Sequence, residues 1–387
     1  MFSRAIFGAA LALGFAAGAQ AAGIKDTEIV VGTHLDLSGP VAAGMPQLRN
    51  GMQMRLDEAN DKGGVNGRKF KFVVEDNASQ PQVAVRAAEK LINSDEVFAI
   101  LNPFGSGTNA AAVKRAVDAG VIYFSPWGAS AILQKISGNS PLLFTTIANY
   151  DTTTAAGLKW MIDQYKPQKV GFIFQEGPFG DLLGAGVKAA MEEKKMTLAA
   201  TAGYKAGDLD FSSQVARMQQ AGVDLVVTAT IIRETIAVAG EMKKAGMTNA
   251  KMLTGTPGRI NLVAQLGKDN VEGIYGVGTW NPLVPAKGSE DVQKWAATFK
   301  SRYNLEPDET GLLAYAYTDW FVKAVEAAGR DVTTDKVVAA LRASSQSSLI
   351  FYDTKKFVNN HAMPESVKVE QIKGGAWTAV SPLFNEK

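Results

Sequence analysis

Residues Leu101 to Ala112 read LNPFGSGTNAAA. An apolar, strand-like run from Val97 to Leu101 leads into them, and a helix-like run from Ala110 to Ala119 leads out. Between the two lie Asn102, Pro103, Phe104, Gly105, Ser106, Gly107, Thr108 and Asn109. These residue types cap helices and let a backbone come close to a ligand. The stretch therefore predicts a strand, a turn and a helix N-terminus, whose unpaired N–H groups and partial positive charge suit a carboxylate or another anion.

The same alternation extends in both directions. On the N-terminal side, Glu28 to Leu35 reads as a strand, Gln47 to Asn60 as a helix, Phe70 to Glu75 as a strand and Pro81 to Asn93 as a helix; Val121 to Phe124 follows as another strand. Strands alternating with helices imply a parallel sheet covered on both faces. From Asp151 the pattern restarts: helices over Asp151–Gln164, Asp181–Lys195, Phe211–Ala221 and Arg233–Ala245 alternate with strands over Lys169–Phe174, Thr197–Ala202, Asp224–Ala229 and Lys251–Thr254. Glu272 to Thr279 reads as extended, and the chain then turns mostly helical over Ser289–Tyr303, Glu309–Ala328 and Thr334–Ala343. Leu349–Tyr352 and Ser366–Ile372 read as extended again. The expected architecture is α/β, with two doubly wound parallel-sheet lobes and no Pro/Gly/Ser-rich linker between them.

Met1 to Ala21 pairs an early cation, Arg4, with an alanine-rich apolar run that ends in Ala19-Gln20-Ala21. It reads as an export signal cleaved near Ala21/Ala22. No later stretch approaches the roughly 18 unbroken apolar residues of a membrane span, so stable membrane insertion is not expected. The chain has no cysteine, which removes disulfides, thiolate nucleophiles, Cys-based metal sites and lipid attachment at the cleavage point. With 40 basic and 38 acidic residues the charge nearly balances, which argues against nucleic acid as a partner.

Gly105-Ser106-Gly107-Thr108-Asn109-Ala110 matches G-x-G-x-x-A between a strand and a helix, the dinucleotide fingerprint, and opens an enzyme reading. Against it, the match lies in the third strand–helix unit, and the next strand ends in Ser125-Pro126 with no acid for a ribose. No G-x-S-x-G, P-loop or metal-ligand cluster appears. Of the two histidines, His34 ends the first strand and reads as a hydrogen-bonded structural or cleft-wall residue rather than a general base. His361, in an Asn-Asn-His loop, reads as surface.

The motifs also resemble a known family. EIVVGTHLDLSGP (residues 28–40), ANDKGGVNG (59–67), VEDN (74–77), FSPWGAS (124–130), Phe179-Gly180 before a helix, and DLDFS (208–212) occur in the order of the branched-chain amino-acid-binding (leucine/isoleucine/valine) class of periplasmic solute-binding proteins, and the likeness covers essentially the whole mature chain. The resemblance implies a type I periplasmic-binding fold with three interlobe crossings near Phe144–Tyr150, Gly276–Asn281 and Leu349–Asp353. It implies lobe 1 from residues 22–147 plus 277–349 and lobe 2 from 148–276 plus 350–387. It further implies a periplasmic, non-enzymatic, cofactor-free and monomeric protein that captures a small ligand and delivers it to the permease and ATPase of an ABC importer. The same clamshell can instead serve a signalling receptor as its ligand-sensing partner.

On that resemblance the ligand loops carry Phe104, Ser106, Thr108, Trp127, Gly128, Ala129 and Ser130, with Phe179, Arg233 and Arg259 from the second lobe. Ser106 and Thr108 have a plainer role as helix caps, Trp127 as packing, and either arginine as a solvated charge. The chain departs from the family where an α-amino acid would be held: Ala129 stands in place of a hydroxyl and Pro257 in place of an acid. A buried ammonium without a carboxylate is costly. The arginines and aromatic residues point instead to a carboxylated ligand, aromatic or aliphatic, with no ammonium requirement.

Overall fold

The computed structural model describes residues 22–128, 131–348 and 350–385. The leader, Ala129, Ser130 and Leu349 lie outside these. A first sheet grows from β1 (Glu28–Leu35), β2 (Lys69–Asp76), β3 (Ala99–Leu101), β4 (Ile122–Phe124) and β5 (Leu143–Phe144). Its order is β2-β1-β3-β4-β5 and every pair is parallel. Parallel neighbours need crossovers, which α1 (Met45–Asp61), α2 (Pro81–Asn93), α3 (Ser106–Asp118) and α4 (Ala131–Ile136) supply. The short strands AIL and IYF are wholly buried, as strands covered on both faces must be.

The second sheet uses β6 (Val170–Gln175), β7 (Leu198–Tyr204), β8 (Leu225–Ala229), β9 (Lys251–Thr254) and β10 (Tyr275–Gly278). Around it run α5 (Tyr150–Tyr165), α6 (Pro178–Glu193), α7 (Ser212–Gln220), α8 (Ile232–Lys244) and α9 (Asn261–Gly267). Two later strands, β14 (Ser366–Lys373) and β15 (Ala376–Ala379), extend it antiparallel in the order β15-β14-β10-β9-β8-β6-β7, and β16 (Phe384–Asn385) pairs with β14. The doubly wound α/β reading holds for both sheets.

After β10 come α10 (Glu290–Tyr303), α11 (Glu309–Ala327) and α12 (Thr334–Ala343). Helix α11 returns to the first layer and packs on α1. The approach is close, for a Cβ on Gly51 would lie 2.2 Å from the Gly311 carbonyl. Asp308 caps α11 by accepting from Gly311 N at 3.0 Å.

A third, small sheet joins β11 (Ser345–Gln346), β12 (Lys355–Val358) and β13 (His361–Met363). Its Phe357 stacks on Trp320 at 4.2 Å and meets Phe144 edge-on at 5.0 Å. Two expectations fail in this region. Residues 350–352 form a turn and not a strand. His361 is not on the surface: its ring, 16% exposed, bonds Thr145 Oγ1 at 2.7 Å and Glu365 Oε1 at 2.6 Å, and its backbone bridges Thr145. Loop composition alone cannot anticipate a partner more than two hundred residues earlier in the chain.

Candidate functional site

The loops after β3 and β4 are tied into one wall. Trp127 N donates to the Pro103 carbonyl at 2.8 Å, and Gly105 N to the Trp127 carbonyl at 3.1 Å, so Phe104 and Trp127 bridge in parallel. The Asn109 side chain donates to both Pro103 O and Trp127 O. Behind the wall runs a directed chain. Asn77 Nδ2 faces His34 Nδ1 at 3.1 Å, His34 Nε2 faces the Tyr123 hydroxyl at 2.8 Å, and that hydroxyl donates to Asn109 Oδ1 at 2.7 Å. Asn77 also donates to the Phe104 carbonyl at 2.9 Å. His34 thus holds the site from behind and cannot act as a base within it.

The chain needs a neutral imidazole, because protonation at Nδ1 would set an N–H against the Asn77 amide N–H. Burial lowers the His34 pKa from 6.5 to about 3. The unfolded chain therefore binds a proton that the native state refuses. This contribution to stability is full above about pH 6.5 and falls as the pH drops toward 3, by about 2 kcal/mol between pH 7 and 5. His34→Gln removes it. Denaturant melts of both proteins at pH 7 and 5 check this, and equal pH slopes would contradict the neutral chain.

Helix α3 begins at Ser106 with no side-chain cap. Gly128, at φ +86°, lies against that terminus: a Cβ there would be 2.6 Å from both Ser106 N and Ser106 Oγ. Ser106 is 9% exposed. The first turn thus offers N–H groups and a hydroxyl in a place where bulk water is nearly excluded. Thr108 does not take the expected part of a helix cap. Its hydroxyl donates to the Phe104 and Gly105 carbonyls, which uses its single proton and leaves none for a ligand.

The second sheet brings its own helix ends to this wall. Pro178, at the start of α6, packs 3.5 Å from where a Gly107 Cβ would be. Phe179 follows, half-buried, and meets Tyr150 edge-on at 6.1 Å. The Trp127 indole is 8% exposed and its N–H has no partner among the described residues. Arg233 is exposed and donates to the Pro40 carbonyl at 3.1 Å, joining the start of α8 to the loop after β1.

Arg259 lies elsewhere. It is fully buried, with Nε 2.9 Å from Glu370 Oε2, Nη1 3.8 Å from Glu309 Oε1, and hydrogen bonds to Tyr352 and the Trp280 carbonyl. Two carboxylates already answer its charge, so it ties α11, β14 and the chain after β10 together and is not free to clamp a ligand. Phe104, Ser106, Trp127, Gly128 and Phe179 come together; Thr108 and Arg259 are engaged structurally; Ala129 and Ser130 lie outside the described residues. Tyr150, which ends the segment expected as the first crossing, opens α5 and lies beside Phe179.

The dinucleotide alternative loses its second requirement. Ser125, where β4 ends, is buried and shares a 2.6 Å hydrogen bond with Thr146, with no acid at that point. Among the described residues no helix is long and apolar enough to cross a membrane, and no group of three His, Asp or Glu side chains is placed to hold a metal ion.

The sequence profile of the periplasmic binding protein family matches residues 28–376. The chain is 28% identical to the leucine-, isoleucine-, valine-, threonine- and alanine-binding protein of Pseudomonas aeruginosa over 344 residues, 88% of each chain. Its structure is similar to that of a fatty acid ABC transporter substrate-binding protein from Thermomonospora curvata (TM-score 0.81, 23% identity, 95% of each chain covered). It is also similar to an ABC transporter solute-binding protein from R. palustris in complex with benzoate (TM-score 0.80, 20% identity, 93% of this chain and 98% of that one).

Proposed function

The chain belongs to the periplasmic binding protein family, whose members bind solutes and are not enzymes, and from that premise we propose that it captures a small carboxylate lacking an ammonium group and delivers it to the permease and ATPase of an ABC importer. On this reading the leader is cleaved near Ala21/Ala22 and the monomer closes about its three crossings. The lobes comprise residues 22–147 with 277–349 and 148–276 with 350–387, and the packing of Phe357 on Trp320 and Phe144 argues for giving 355–363 to the first lobe.

One observation carries the ligand class: the uncapped start of α3, with Ser106 cleared by Gly128 and flanked by Phe104, Trp127 and Phe179. Donors and flat apolar faces are present together, which fits an acid with an apolar body. At the opposite wall Thr256-Pro257-Gly258 forms a short turn without an acid. A second reading, an α-amino acid, has Glu234 in its favour, buried in the first turn of α8 beyond the end of β8.

Mature protein screened by thermal shift and calorimetry against benzoate, octanoate and leucine separates the two. We expect stabilisation by an amine-free acid, worth about 2.7 kcal/mol at a hundred times Kd. Stabilisation by leucine alone would decide for the amino acid.

A further inference from the structure

We propose that the Tyr150 hydroxyl is a second donor to the ligand carboxylate, reaching it from the second lobe while Ser106 and the start of α3 hold it from the first. The inference rests on the carboxylate reading of this cleft. Tyr150 opens α5, just past the first crossing, and only 7% of it is exposed. Its oxygen is approached by the Gly128 amide, on the same glycine whose missing Cβ clears Ser106. Its ring stands edge-on to Phe179.

A phenol has one proton to give, and no group among the described residues receives the proton of Tyr150. Burial pushes its pKa up to about 12, with the Gly128 amide pulling the other way, so the proton stays on at neutral pH. That proton is free to be donated, and a carboxylate at the α3 terminus would accept it in a charge-assisted hydrogen bond.

The placement has a mechanical consequence. Helix α5 packs on the second sheet, for Gly157 lies against Val277 of β10. Tyr150 therefore travels with that sheet while Ser106 travels with the first. A carboxylate held by both is a contact made fully only when the cleft is closed, which is the differential interaction a ligand needs to shift the conformational balance. A solute with the same apolar body but no acid would occupy the aromatic walls without bridging the lobes.

Tyr150→Phe removes the hydroxyl and keeps the ring. Calorimetry with benzoate, octanoate and leucine, each on wild type, Tyr150→Phe, Ser106→Ala and the double variant, reads the proposal. We expect whichever acid binds the wild type to bind Tyr150→Phe about ten- to a hundredfold more weakly. The double variant should lose less than the product of the single losses, since both donors serve one carboxylate. The melting temperature of ligand-free Tyr150→Phe should stay at the wild-type value; a fall there with multiplicative losses would mark a structural role and overturn the proposal. Unchanged affinity in Tyr150→Phe overturns it while leaving the ligand class intact. If the wild type binds leucine alone, the amine-free reading fails and Tyr150 is still judged on the leucine carboxylate. Binding of none of the three overturns both.

Discussion

Arg259→Ala is expected to cost about 3–5 kcal/mol of stability, the range for leaving a buried ion partner uncompensated. The guanidinium is wholly enclosed. Its stem packs where a Cβ on Gly276 would be, 2.5 Å away, and its Nε and Nη2 lie 2.8 Å from where a Gly278 Cβ would be. Glu370 of β14 and Glu309 of α11 face it, and the Trp280 ring lies 5.4 Å from it. Burial opposes its charge, yet Glu370, Tyr352 and Glu309 together carry its pKa above the ordinary value. Removing it strands two carboxylates.

The pH dependence of that deficit is the sharper check. Burial pushes Glu309 up to about 7 even with Arg259 beside it pulling down. A carboxyl raised in the native state contributes stability that is full below its unfolded pKa, near 4.5, and lost as the pH rises through about 7. Without Arg259 the native Glu309 carboxyl takes up a proton more readily. The deficit should therefore shrink at pH 5 relative to pH 8, and Glu309→Gln should recover part of it at neutral pH. Urea unfolding of the single and double variants at both values measures this. A deficit under 1 kcal/mol at pH 8 would mean the network is solvated after all. The His34 contribution has the opposite slope, so only differences between variants isolate either group.

Arg259 also shows where the sequence stopped being readable. A charged residue in a loop, two positions after the proline that stands where the resemblance implies an acid, reads as a clamp or a solvated side chain. Its burial depends on Gly276 and Gly278 leaving room and on Glu309 and Glu370 supplying charge, all distant in the chain. The strand–helix alternation was readable because each strand announces itself by a local run of apolar residues, and the start of α3 because turn and capping residues are local too. Thr108 was ambiguous for the same reason: a hydroxyl at a helix start looks alike whether it faces a ligand or bonds back to the carbonyls before it. His361 and β12 belong to the other kind. Their partners, Thr145, Phe144 and Trp320, come from distant parts of the chain.

Gly128→Ala should abolish binding while leaving the protein folded. Two effects combine in it. The residue sits at φ +86°, where a side chain strains the backbone by about 1 kcal/mol. The added Cβ would also lie 2.6 Å from Ser106 N and Oγ and 2.8 Å from Ser106 Cα. Backbone atoms at a helix start cannot turn aside as a long side chain can, so the loop or the helix must shift, by several tenths of an ångström at least. Hydrogen bonds weaken steeply with such misplacement. The site would lose alignment of its α3 donors and of Tyr150 in one step. Gly120→Ala is the matched control: its φ is +80°, nothing lies within 4 Å of its Cβ, and it sits at the far end of α3. It should show the backbone cost alone, with unchanged affinity. Circular dichroism and denaturant melts report whether both variants fold, and calorimetry with the acid that binds the wild type reports the difference between them. Binding by Gly128→Ala within tenfold of wild type would move the carboxylate away from Ser106, because no ligand anchored there could tolerate a methyl group in that position.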